Sequence, residues 1–395
     1  MKKLAILGST GSIGTSTLSI CESFPDRYQP IALAAGLNVD VAFAQCLRWR
    51  PQVISIATEE LASQLQSQFK AAGITGVEVV HGAAGTVRVA TLPEVDFVVS
   101  AIVGVAGLEA TYAAVKTGKT IGLANKECLV AAGELIIAAA REHNVALLPI
   151  DSEHNAVHQC MRGGTPAEVH QIWLTASGGP FRNTPLADFE EITPAQALKH
   201  PTWVMGQRIT IDSATMMNKG FEVIEACRLF SLPPEQVRVT IHPQSTVHSL
   251  VEFIDGSILA QISVTDMRLP ILYALAYPER VDATTASLHF DLAALSQLDF
   301  SVPDLARFPC LRLAYEAAAT GGEACIALNA ADEIAVAAFL EGRIPFLGIP
   351  RTIELVLQQT SARHPSSIQE VLEADLAARA CARDVIAHHF SGVLR

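Results

Sequence analysis

The chain has 395 residues, half of them hydrophobic and only 17% charged, enough for two or three well-buried domains and not the composition of a disordered chain. A formal net charge of −12 excludes a general nucleic-acid binder, whose phosphate affinity comes from clustered Lys and Arg, yet leaves room for a pocket that takes a small phosphorylated ligand. The eight cysteines show no CxxC spacing, and no apolar run reaches the roughly 20 residues of a membrane span, so a soluble, cytoplasmic protein with reduced thiols and no membrane partner is expected.

Residues 4–7 read as a short strand, followed by Gly8-Ser9-Thr10-Gly11-Ser12-Ile13-Gly14 and an amphipathic helix over about 15–23. The spacing GxxGxxG departs from the usual dinucleotide fingerprint, but the physics is shared: glycines allow a tight turn, and amides at a helix N-terminus favour a pyrophosphate. A plain tight turn is the competing reading. Strand-like runs recur at 31–35, 53–57, 77–80, 97–102, 120–124 and 146–150, with helical segments between most of them. That alternation predicts a doubly wound, mainly parallel α/β sheet of Rossmann type over residues 1–150, and with it a dinucleotide. Gly36-Leu37-Asn38 follows the second strand with no acid before Asp40. An acid there would hold the ribose hydroxyls of the unphosphorylated dinucleotide, so the 2′-phosphorylated form is expected. The strand at 120–124 ends in Asn125-Lys126-Glu127, either site lining at the rim of the glycine loop or a solvated helix start.

The last strand of the set runs into Asp151-Ser152-Glu153-His154-Asn155. Two carboxylates placed there repel each other and lose hydration unless a cation joins them, which a hard divalent ion does economically. The alternative is an exposed acidic helix start capped by Asp151 or Ser152. After a strand at 171–175, Ala176-Ser177-Gly178-Gly179-Pro180 is an anion nest or an ordinary turn. His200-Pro201-Thr202-Trp203-Val204-Met205-Gly206 suits a loop that closes over a ligand, although a lone Trp more often serves packing. Residues 208–211 read as a strand, and Asp212-Ser213 opens a helix on which Asn218, Glu222 and Glu225 share a face. That helix offers Ser213, Asn218 and Lys219 to a phosphate, beside carboxylates for a metal. A surface pair between Lys219 and Glu222 is the alternative, which Met216, Met217, Phe221, Val223 and Ile224 argue against by leaving little of the helix for water. Residues 247–254 and 257–264 read as a hairpin with a two-residue turn at Asp255-Gly256.

The second domain, 151–280, is therefore expected to be α+β with a mixed sheet, followed by a linker over 281–309. Helical periods at 311–319, 324–341, 351–359 and 368–387 predict a helical bundle over 310–395 that braces the rest. Asn329, Asp332 and Glu333 are its notable polar residues, and helix faces account for them.

GSTGSIG at 8–14, LANKE at 123–127, DSEHNA at 151–156, SGGPF at 177–181, HPTWVMG at 200–206, SATMMNKGFEVIEA at 213–226 and HPQS at 242–245 occur in this order. Together they resemble the 1-deoxy-D-xylulose 5-phosphate reductoisomerase family over essentially the whole chain. The resemblance implies conversion of 1-deoxy-D-xylulose 5-phosphate to 2-C-methyl-D-erythritol 4-phosphate, in non-mevalonate isoprenoid biosynthesis, with NADPH and Mg²⁺, Mn²⁺ or Co²⁺, by a homodimer. Carried over by motif, Asp151, Glu153 and Glu222 are metal ligands, and Ser177, Ser213, Asn218 and Lys219 hold the phosphate. Lys126, Ser152 and Glu153 contact the sugar backbone, while His200, Trp203 and Met205 belong to a lid. Thr10, Gly11, Ser12, Ile13, Gly36, Asn38, Asn125, Glu127 and Gly206 line the NADPH site. The residues implied in catalysis are Lys126, Asp151, Glu153, His200, Trp203 and Glu222. Many members have a basic residue where this chain has Leu37, which leaves the 2′-phosphate to loop hydroxyls and amides. Two rivals remain. A metal-free NADP dehydrogenase of the homoserine-dehydrogenase kind gives no reason for three carboxylates around a phosphate pocket. A catalytically silent nucleotide sensor would bind NADPH without oxidising it.

Overall fold

The structure is a computed structural model that describes residues 1–203 and 206–390. The chain first alternates strand and helix: β1 (Lys2–Leu7), α1 (Ser12–Ser23), β2 (Tyr28–Ala34), α2 (Val39–Trp49), β3 (Val53–Ile56), α3 (Glu59–Ala71), β4 (Glu78–His81), α4 (Gly82–Ala90), β5 (Phe97–Ser100), α5 (Leu108–Lys116), β6 (Thr120–Leu123), α6 (Lys126–Glu142) and β7 (Leu147–Pro149). It continues through α7 (Ser152–Cys160), β8 (Val169–Ala176), α8 (Pro194–Ala197), α9 (Gln207–Thr215), α10 (Met217–Phe230), β9 (Val237–Ile241), β10 (Val247–Phe253), β11 (Ile258–Ile262) and α11 (Arg268–Ala276). It ends in α12 (Pro309–Thr320), α13 (Glu323–Leu340), α14 (Gly348–Leu357) and α15 (Ile368–His389).

Two compact units result, and neither is one continuous stretch. The first comprises Met1–Cys128, Glu134–Asn155 and Asp266–His289, and the second Leu129–Gly133, Ala156–Thr265 and Phe290–Arg395. In the first, seven strands lie in the order β4-β3-β2-β1-β5-β6-β7, every neighbouring pair parallel. All residues of β3 and β5 are buried, as a sheet covered on both faces requires. The strand order reverses at β1, with β2 on one side and β5 on the other, and such a switch point opens a ligand crevice beyond the carboxyl ends. α11 returns to this unit: Asn155 donates from Nδ2 to the Pro149 carbonyl (2.8 Å) and the Pro270 carbonyl (3.2 Å), tying the helix to the end of β7.

The second unit holds a mixed sheet, β11-β10-β8-β9, with β8 and β9 parallel and β10 antiparallel to both its neighbours. One hydrophobic core joins this sheet to α12–α15, with Phe181, Phe189, Phe308, Phe339 and Phe346 in mutual ring contact. All eight cysteines are free, and burial pushes the Cys21 and Cys46 thiols up to about 12. Among the described residues, no helix is long and apolar enough to cross a membrane.

Two local expectations are corrected. Residues 208–211 are helical, inside α9; the β-branched run Ile209-Thr210-Ile211 mimics a strand, but burial along the helix overrides propensity. The helix then breaks at Met216, whose φ of 63° separates α9 from α10. The hairpin turn is three residues rather than two: the Phe253 amide donates to the Ser257 carbonyl (2.9 Å), and Gly256 takes the left-handed position (φ 83°).

Candidate active site

The first unit builds its glycine loop around two positions that tolerate no side chain. Gly8 has φ 88°, and a Cβ there would fall 2.5 Å from the Ala101 carbonyl oxygen in the loop after β5. At Gly14 a Cβ would lie 2.3 Å from the Gly8 oxygen. The Gly8 and Ser9 amides both donate to the Ala34 carbonyl, and Gln45 donates from Nε2 to the Ser9 carbonyl (2.8 Å). Sequence reasoning gave Gln45 no part in this, because its distance along the chain hides the contact. The anchored loop brings the N-terminus of α1 to the switch point, where no side chain caps it. Gly11 and Ser12 are exposed there, with Thr10 and Ile13 half-buried beside them. Amides of this kind fit a pyrophosphate.

Gly36 and Asn38 lie exposed after β2, and Asn38 also caps α2 by accepting from the Val41 amide (3.1 Å). Asp40 is engaged by Gln68, whose Nε2 donates to it at 3.0 Å. Asn125 caps α6 through the Cys128 amide (3.2 Å) and donates from Nδ2 to the Gly104 carbonyl (2.9 Å), holding the loop after β5 against the end of β6. Lys126 and Glu127 beside it are buried, so the solvated helix start is excluded.

Lys126 reaches across to the acids. Its Nζ stands 2.8 Å from Asp151 Oδ2, and His154 Nδ1 is 3.6 Å from the same oxygen. The Ser152 amide donates to Asp151 Oδ1 (3.1 Å), and the Ser152 hydroxyl donates to Glu153 Oε2 (2.6 Å). Asp151 does precede the first turn of α7, since the Asn155 amide donates to its carbonyl, but its Oδ2 is enclosed by a lysine and a histidine. Burial pushes this carboxyl up, yet the Lys126 charge and then the His154 hydrogen bond prevail and hold it well below the usual carboxylate range. His154 is a member of the cluster that the sequence reading quoted without a role; its spacing of three from Asp151 on α7 was the available signal.

The second unit carries the remaining groups. Gly178 and Gly179 both have positive φ (80° and 67°), and a Cβ on Gly179 would lie 2.6 Å from the Ser213 carbonyl oxygen. That close approach sets the Ser177 turn against the end of α9. Ser177 Oγ is 3.2 Å from His200 Nε2 and accepts from the Gly179 amide (3.2 Å). His200 Nδ1 accepts from the Trp203 and Thr202 amides (2.9 and 3.2 Å), so in the neutral ring the proton sits on Nε2 and points at Ser177. Trp203 is half-buried, Gly206 is exposed at the start of α9, and Met205 lies outside the described residues.

On α10, Glu222 is 0% exposed and ion-paired with Lys219, itself buried, while Asn218 donates from Nδ2 to Glu222 Oε1 (2.6 Å). A solvated surface pair is thereby ruled out. Ser213 and Asn218 are half-buried among buried neighbours. Asp151 and Glu222 are thus each compensated by a lysine of their own unit, and within the first unit Asp151 and Glu153 offer neighbouring carboxylate oxygens. That chemistry fits a hard divalent cation such as Mg²⁺.

Comparison with known proteins decides the family. A model described as 1-deoxy-D-xylulose 5-phosphate reductoisomerase matches residues 4–133, the model of its C-terminal domain matches 147–230, and a further DXP reductoisomerase C-terminal domain matches 262–381. The 1-deoxy-D-xylulose 5-phosphate reductoisomerase of Solibacter usitatus is 52% identical over 388 residues, covering 98% of this chain and 97% of that protein. The chain belongs to the 1-deoxy-D-xylulose 5-phosphate reductoisomerase family. Another reductoisomerase, from Methylococcus capsulatus, is 52% identical over 391 residues, covering 98% of this chain and 99% of its own. The solved reductoisomerase of Zymomonas mobilis in complex with NADPH superposes with a TM-score of 0.91 at 45% identity, covering 98% of this chain and 99% of that one. A reductoisomerase solved with NADPH, fosmidomycin and magnesium gives 0.91 at 43% identity, covering 98% of each chain. Every reductoisomerase motif read from the sequence lies inside a matched stretch except HPQS at 242–245.

Proposed function

We infer that this chain catalyses the NADPH- and Mg²⁺-dependent rearrangement and reduction of 1-deoxy-D-xylulose 5-phosphate to 2-C-methyl-D-erythritol 4-phosphate. The observation that carries this is full-length membership of the family with its acid, lysine and glycine-loop motifs intact. When bound, the metal ion supplies Lewis-acid polarisation of substrate oxygens, and NADPH supplies the hydride that reduces the rearranged aldehyde.

In our assignment Asp151, Glu153 and Glu222 hold the ion, while Lys126 and Ser152 meet the sugar backbone. Ser177, Ser213, Asn218 and Lys219 take the phosphate. His200, by donating from Nε2, orients the Ser177 hydroxyl toward that group. A firm grip on the phosphate supplies binding energy for orienting the reacting carbons, and the loop bearing Trp203 keeps water out while the skeleton is broken and remade. The NADPH groups are Thr10 to Ile13, Gly36, Asn38, Asn125, Glu127 and Gly206. Functionally we divide the chain into a dinucleotide domain over 1–150, metal and substrate binding over 151–280, a linker over 281–309, and bracing helices over 310–395.

The enzyme is proposed to act in the cytoplasm as a homodimer. Support for the dimer comes from β11, an edge strand that leaves Ile258, Leu259 and Ile262 exposed, an arrangement suited to covering by a second copy.

Oxidation of NADPH on addition of the pentulose phosphate, followed by absorbance, tests the function. Turnover that stops on chelation and returns with Mg²⁺ is expected. Turnover that survives chelation would favour the metal-free dehydrogenase, and no turnover at all the silent sensor. Coenzyme recognition gives a second expectation. Leu37 is 74% exposed just before α2, so Leu37→Arg places a guanidinium where the 2′-phosphate is expected. Preference for NADPH over NADH should rise about tenfold, the size of one charge-assisted contact; an unchanged ratio of kcat/KM values would place the 2′-phosphate elsewhere.

A further inference from the structure

Arg208, in the first turn of α9, is the centre of a buried polar network that no role assigned so far requires. Its Nη1 donates to Glu333 Oε1 (2.7 Å) and its Nη2 to Asn329 Oδ1 (2.8 Å), both on α13. Asp332 Oδ2 lies 3.5 Å from Nη2, and Asp212 Oδ2 lies 3.6 Å from Nε on the same helix as Arg208. The guanidinium also stands over the Phe221 ring of α10, 5.7 Å from its centre. Glu333 continues the network through its other oxygen to Arg379 on α15, whose Nε donates to Asp375 Oδ2 (2.6 Å). Asn329 and Asp332 are 0% exposed, so helix faces do not account for these residues: they point inward, onto α9.

Buried ion networks are an inefficient route to stability, because desolvation offsets most of the Coulomb gain. What a rigid guanidinium fork secures is geometry, since its donors satisfy several acceptors at fixed angles. Here the object held is α9. Asp212, ion-paired with Arg208 at 3.6 Å, is the residue before Ser213, and the Ser213 carbonyl is where the Gly179 backbone of the Ser177 turn comes closest. The Asp332 carboxyl is raised to about 6, because burial outweighs the Arg208 charge that is the strongest influence drawing it down, so the arginine also offsets repulsion among these crowded acids.

We propose that Arg208 is a positioning residue for substrate phosphate: by clamping α9 to α13 and α15 it holds Ser213 in register with the Ser177 turn. This rests on the assignment of Ser213 to the phosphate, and the test separates the two. Steady-state kinetics of the holoenzyme with Mg²⁺ and NADPH are compared for Arg208→Met, Arg208→Lys, Ser213→Ala, Glu333→Gln and the Arg208→Met/Ser213→Ala pair.

Arg208→Met should raise KM for the pentulose phosphate about tenfold or more, since a displacement near 1 Å can cost up to about 10²-fold, and leave KM for NADPH unchanged. Arg208→Lys, which keeps the charge and reaches one acceptor, should recover much of the loss. The double variant should be little worse than the more impaired single, as expected if both act through one contact. A merely structural arginine would instead lower Tm and the active fraction with KM unmoved. Wild-type KM in Arg208→Met alongside a raised KM in Ser213→Ala overturns the positioning role. Wild-type KM in both overturns the phosphate assignment and the proposal with it. Should Arg208→Met not fold, Glu333→Gln carries the same readout, and a wild-type KM there overturns the proposal.

Discussion

Glu222→Gln lowers turnover by more than about 10²-fold at saturating metal, while NADPH still binds with its wild-type affinity. The size follows from what a preorganised charge contributes when charge develops on a substrate held in a water-poor site. Glu222 is enclosed, with Lys219 on one oxygen and Asn218 on the other, so the amide keeps the side-chain volume but removes the charge and sets an NH2 donor against one of these two donors. The ion pair with Lys219 is then broken, and breaking a buried pair typically costs about 3–5 kcal/mol, so Tm should fall as well. Thermal unfolding must therefore accompany the kinetics, to separate lost fold from lost chemistry. NADPH binding is the internal control, because the glycine loop belongs to the other compact unit. Near wild-type turnover in a folded variant would remove Glu222 from the ligand set.

The second large effect is expected at Gly14. A methyl group there would meet the Gly8 oxygen at 2.3 Å and the Ser9 Cα at 2.5 Å, both backbone atoms that cannot rotate away. Gly14→Ala must therefore displace the loop whose amides are assigned to the pyrophosphate. Loss of about 1.4 kcal/mol of contacts is already tenfold in affinity, and a shifted loop forfeits more than one contact. NADPH titration by fluorescence should show at least that tenfold weakening, with the far-ultraviolet spectrum preserved. An unchanged Kd would mean that the dinucleotide does not use this turn.

Much of the first unit was legible because its signals are local. The run at residues 4–7 followed by GSTGSIG needs only strand period and glycine chemistry, and the recurring apolar runs predict parallel strands without knowledge of their partners. The C-terminal helices were equally readable, α15 being expected at 368–387 and found at Ile368–His389. Failures came where a distant partner decides. Residues 208–211 have strand propensity and are helical because α9 is packed in a core that the window cannot see. Asn329, Asp332 and Glu333 look like ordinary helix-face polars until Arg208, more than a hundred residues earlier, is known to lie against them. Gln45, whose partner Ser9 lies 36 residues away, was passed over for the same reason, whereas the signal for His154 was local, three residues from Asp151. The Lys219–Glu222 pair is a subtler case: it has the spacing of a surface pair, and only its burial excludes that reading.

The central claim is that acids far apart in the sequence serve a single cation. Titration of the NADP⁺-bound enzyme with Mn²⁺, followed by electron paramagnetic resonance, counts the sites and measures their strength. One site per chain is predicted for the wild type, weakened at least about tenfold in each of Asp151→Asn, Glu153→Gln and Glu222→Gln, as loss of a charged oxygen ligand requires. Wild-type Mn²⁺ affinity in folded Glu222→Gln, with weakening confined to Asp151→Asn and Glu153→Gln, would contradict it.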